Sequence, residues 1–73
     1  MPARLRLAIR TEGTQVTAYL APAEGWHNVE LIGSIKTEAL KAEPALAEDF
    51  KTLMKQTAEV LIAKRGAELE TTS

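Results

Sequence analysis

Apolar residues take every second place along the start of the chain, where Leu5, Leu7 and Ile9 alternate with Arg4, Arg6, Ala8 and Arg10. Successive side chains of a strand point to opposite sides, so a period of two predicts a strand with one buried face. Gly13 follows and can take the positive φ of a tight turn. Val16, Ala18 and Leu20 then alternate with Gln15, Thr17 and Tyr19. A loop centred on Glu12 and Gly13 pairs Ile9 with Val16, Leu7 with Ala18 and Leu5 with Leu20. An odd-length loop would mix the two faces, because a one-residue slip flips every side chain. The same register sets Arg6 opposite Tyr19 and Arg10 opposite Gln15.

Pro22 and Gly25 mark a loop. Val29, Leu31 and Ile35, with Gly33 among them, predict the inner face of a third antiparallel strand. Its outer face carries Glu30, Ile32, Ser34 and Lys36. The strands are expected over 3–10, 15–21 and 28–36, as a meander. Residues 37–43 are good helix formers in a short run cut off by Pro44, and no element is assigned to them.

The period then changes. Leu46, Phe50, Leu53, Met54, Thr57, Val60 and Leu61 fall at helical spacing on one stripe. Pro44 suits a first turn. Glu48 and Asp49 lie near the positive end of the dipole, Lys64 and Arg65 near the negative end. Gly66 is placed to end the helix. The spacing predicts a helix over 44–65, with 67–73 as a flexible tail. The expected fold is α+β, with a three-stranded antiparallel sheet and one long C-terminal helix packed on one face. It makes a single domain over 1–66.

The totals add a reason to expect a partner. The chain has 73 residues, no cysteine and one histidine. Small domains commonly need a disulfide, a metal or a second chain. Neither a disulfide nor the usual set of nitrogen ligands is on offer here. A helix of about 22 residues is about 33 Å long, whereas a strand of about seven spans about 23 Å. The helix should therefore overhang its sheet near Val60–Ile62. Ile62 falls off the main stripe, on a flank shared with Ala47 and Ala58. The open sheet face would show Ala8, Tyr19 and Ile32, and an unpaired edge strand is a template for another chain. A homodimer, helix against helix or edge against edge, would cover these surfaces.

Arg4, Arg6 and Arg10, with Tyr19 as a stacking platform, also match the make-up of sheets that bind single-stranded nucleic acid. Nine basic against ten acidic residues leave a net charge of −1, unlike the strongly basic balance of such domains. A solvated strand face is thus the first expectation for these arginines. Trp26 is read either as a partner anchor or as a cap on the core.

No glycine-rich phosphate loop, zinc spacing or nucleophile motif occurs. His27 has no spaced companions for a metal, and Ser34 is not tied to it as a nucleophile would be. No catalytic, cofactor-binding or metal-binding residue is assigned, and enzymatic activity is not expected. No apolar run approaches the roughly 20 residues that cross a bilayer, so a cytoplasmic location is expected. The reading that follows is a small non-enzymatic module that binds an unidentified protein, as a homodimer. Trp26, Tyr19, Ile32, Val60 and Ile62 are its candidate contacts. Its size and lack of chemistry suit an accessory or inhibitor protein of a phage or mobile element. The alternative is a single-stranded nucleic-acid binder using Arg4, Arg6, Arg10 and Tyr19.

Overall fold

The computed structural model describes residues 3–70. Strand β1 (Arg4–Glu12) and strand β2 (Gln15–Pro22) form the expected hairpin. Their register pairs Leu7 with Leu20, Ile9 with Ala18 and Thr11 with Val16. That is a slide of two places from the expected pairing, with the turn at Gly13 and Thr14. An even slide keeps the apolar rows on one face, so burial cannot choose between the two registers. Turn chemistry can. Gly13 has φ of 60° and Thr14 is not left-handed, the order found in type II′ turns with glycine first. On the other face Arg6 lies opposite Ala21 and Arg10 opposite Thr17. Tyr19 is paired with Ala8, between the two arginines.

Strand β3 (Glu30–Lys36) pairs antiparallel with β2. Strict alternation fails there. The pairing steps from Ala18–Gly33 to Tyr19–Leu31, so Ile32 is the extra residue of a β-bulge. Beyond the bulge the faces exchange. Leu31 joins Tyr19 on the open face and is 58% exposed. Ile32 turns inward and packs against both core clusters. Its expected place on the open face is corrected accordingly.

Residues 37–43 contain a short helix, α1 (Thr37–Ala42). The Thr37 N–H and Oγ1–H both donate to the Thr14 carbonyl, at 2.9 and 3.1 Å, which ties the start of α1 to the hairpin turn. Helix α2 (Ala45–Arg65) lies across one face of the sheet. It buries Phe50, Met54, Ala58 and Ile62, a row at i+4 spacing. Leu53 and Val60 are instead 55% and 54% exposed. The helix is therefore rotated from the expected stripe. Ile62, expected on a free flank, is a core residue, and Val60 is the one left outside.

Gly66 ends α2 with φ of 63°. The Gly66 N–H donates to the Ala63 carbonyl at 3.4 Å and the Ala67 N–H to Ile62 at 3.1 Å, the two bonds of a Schellman motif. The turn sends the chain back along the sheet. Glu68–Leu69 form strand β4, parallel to β1, with the Glu68 N–H on the Ala3 carbonyl and the Glu70 N–H on Leu5. The stretch expected as a flexible tail thus holds an edge strand over Glu68–Leu69 and is hydrogen-bonded to β1 as far as Glu70, while 71–73 lie outside the described residues. Ala67 and Leu69 pack against the Ile62 cluster. They cover the end of α2 that was expected to overhang.

The sheet order is β3-β2-β1-β4. One core cluster holds Ala18, Phe50 and Met54, and the other holds Leu20, Ala58 and Ile62. Leu7 and Ile32 touch both and join them. Gly33 supplies the close approach of β3 to α2, since a Cβ there would sit 2.5 Å from the Met54 sulfur. Gly33→Val is expected to cost about 1–3 kcal/mol by overpacking. A lowered urea midpoint with unchanged slope would show it.

Candidate functional site

Two surfaces collect the residues expected to bind something. On the open face, the loop after β2 folds back over the sheet. Gly25 has φ of 85° and Asn28 of 51°, left-handed conformations that these two residue types tolerate. Arg6 holds the loop in place. Its Nε–H donates to the Pro22 carbonyl at 3.0 Å and its Nη2–H to Gly25 at 3.1 Å. Trp26 then lies edge-on to Tyr19, with ring centroids 5.5 Å apart. The guanidinium carbons of Arg6 and Arg10 stand 5.5 and 4.9 Å from the Trp26 ring centroid. Both distances are within cation–π reach. Ala8, Thr17 and Ala21 are buried on this same face.

Glu12 completes the cluster. Its carboxylate accepts hydrogen bonds from the Tyr19 and Thr17 hydroxyls. These bonds, Tyr19 first, and the nearby charge of Arg10 hold the carboxyl below its ordinary 4.5. A carboxyl that binds its proton less readily folded than unfolded adds stability while it is ionised, above its ordinary range. That contribution disappears as pH falls through the lowered value. Between neutral pH and about pH 3, wild type should therefore lose more melting temperature than Glu12→Gln. Equal losses in thermal scans would contradict the role given to this carboxylate.

The expected arginine row is thus divided. Arg6 and Arg10 are occupied with Trp26 and its loop. Arg4 is apart from them, 4.0 Å from Glu70 at the β4 edge, with its side chain 62% exposed. Trp26 neither caps the core nor stands free in its loop. It is docked on its own sheet, 42% exposed.

The second surface is the flank of α2 beside β3. Among the described residues, no strand pairs with the outer edge of β3. A shallow apolar depression lies there between Ile35 and Leu46, Phe50 and Leu53. Another follows along the helix, lined by Leu53, Thr57, Val60 and Leu61. Of the five candidate partner contacts, Val60 belongs to this surface, Tyr19 and Trp26 to the open face, and Ile32 and Ile62 to the core. Leu31, Leu53, Val60 and, to a lesser degree, Ile9 are uncovered side chains that the alternation and the helical stripe placed inside.

Among the described residues, no group of three or more His, Asp or Glu side chains is placed to hold a metal ion. No described helix is long and apolar enough to cross a membrane. The chain is a small α+β protein with a curled four-stranded sheet under one long helix. Comparison with protein-family models, with curated proteins and with solved structures finds no match.

Proposed function

We propose that this chain is a non-enzymatic module that works by binding protein, a second copy of itself included. One observation carries the reading. Leu53 and Val60 leave more than half of their surfaces exposed on one side of α2, and Leu53 lies beside β3, whose outer edge pairs with no strand among the described residues. Contiguous apolar surface of this kind marks interaction sites. Sedimentation equilibrium over a wide concentration range tests it. Self-association that Leu53→Ser weakens and Trp26→Ala spares supports the reading. A chain that stays monomeric to millimolar concentration removes the homodimer from it. Trp26→Ala itself should cost about 1.5–3.5 kcal/mol of stability, the scale of one aromatic pair and two exposed cation–π contacts.

The nucleic-acid reading gains one observation. Trp26 joins Tyr19 on the open face, so two rings accompany the arginines. Against it, Arg6 and Arg10 are engaged within the protein and Glu12 sits among them. Single-strand binding would quench Trp26 fluorescence steeply at low salt and release it as salt rises. A flat titration with an oligonucleotide at low salt would discard this alternative.

A further inference from the structure

The helix flank left open by the fold carries a self-complementary pattern. Asp49, Leu53, Gln56, Val60 and Lys64 recur every three or four residues, so they share one side of α2. The pattern is acidic at one end and basic at the other, with Leu53 and Val60 flanking a polar Gln56 between them. The opposite flank carries charges from Glu48 through Lys51 and Lys55 to Glu59. Asp49 and Lys64 have no ion-pair partner among the described residues.

The geometry points to an antiparallel pairing of α2 with α2 of a second copy, about a two-fold axis between Gln56 and Thr57. This rests on the protein-binding reading above and names its partner and contacts. In that arrangement Asp49 faces Lys64 of the second copy, Leu53 faces Val60, and Gln56 faces Thr57. The symmetry makes every contact twice, as an isologous interface requires. A parallel pairing would set Asp49 against Asp49 and Lys64 against Lys64, and like charges exclude it. The ends of the pattern thus choose both partner and direction.

The free edge of β3 is the weaker candidate for the same role. The bulge at Ile32 interrupts its row of hydrogen-bonding groups, a known device against strand addition. The helix pattern has no such interruption. It runs from Asp49 to Lys64, about 22 Å at 1.5 Å per residue. A standard interface buries about 800 Å² on each partner, while this chain exposes 5183 Å² in all. A single helix pair lies at the small end of that scale, so the dimer is weak and depends on concentration.

Charge reversal and complementation test the pairing. Asp49→Lys alone places like charges at both ends of the interface, and so does Lys64→Asp alone. Each should weaken self-association roughly tenfold in sedimentation equilibrium. An equimolar mixture of the two variants restores opposite charges at both ends. It should form a mixed dimer about as tightly as wild type, seen by native mass spectrometry. Single variants that associate like wild type, or a mixture no tighter than its components, overturn the pairing while leaving the protein-binding reading standing. A wild type that is monomeric at millimolar concentration overturns the pairing and the homodimer together. Circular dichroism on each variant separates lost association from lost fold, since both positions are exposed.

Discussion

Phe50→Ala is expected to leave the chain barely stable at room temperature. Phe50 is 9% exposed and stands at the centre of the cluster with Ala18 and Met54, against Leu7, Val16 and Ile35. Truncating a buried phenylalanine costs about 3–5 kcal/mol, the transfer of the ring plus the cavity left behind. A domain this small has about 5 kcal/mol in total. Loss of the helical circular dichroism signal, or a urea midpoint near zero, would show the effect. A loss under about 1 kcal/mol would mean that the helix does not rest on the sheet at this point.

The second large effect comes from a pair of neighbours on one helix turn. Ile62→Ala should cost about 2–4 kcal/mol, since Ile62 is 6% exposed among Leu20, Ala58, Ala67 and Leu69. Val60→Ala should change stability by no more than about 0.5 kcal/mol, because Val60 is 54% exposed. Urea titrations of the two variants give the comparison directly. The opposite order would rotate α2 by more than a quarter turn and bury the flank that this account leaves open.

That contrast also shows where sequence reasoning stopped. The helix from about Pro44 to Arg65 was legible because its spacing, charges and terminal Gly66 agree. Its orientation was not. From Phe50 and Met54, a stripe through Leu53, Val60 and Leu61 and a row through Ala58 and Ile62 both keep helical spacing, and the first contains more large apolar residues. The deciding residue is Ala58, fully buried between Leu20 and Ile62. Its small side chain lets helix and sheet approach, a role that hydrophobicity alone undervalues. The strands were legible from alternation. The two-place slide of the hairpin was not, because both registers keep Leu5, Leu7 and Ile9 inward. The exchange of Leu31 and Ile32 required a bulge that no alternation signals. Strand β4, two residues long, has no period to detect. On the open face, the contact of Arg6 and Arg10 with Trp26 depends on the path of the loop through Gly25 and Asn28. Charge and composition do not encode that path.

Helix α2 is thus proposed to have two apolar sides, one resting on the sheet and one covered by a second protein. Amide chemical shifts followed from micromolar to millimolar concentration test it most directly. Movement is expected along Asp49–Lys64 on the Leu53 and Val60 side, with the Trp26 indole and the Arg6 and Arg10 side chains unmoved. A spectrum that does not change with concentration, or changes confined to the Trp26 face, would contradict it.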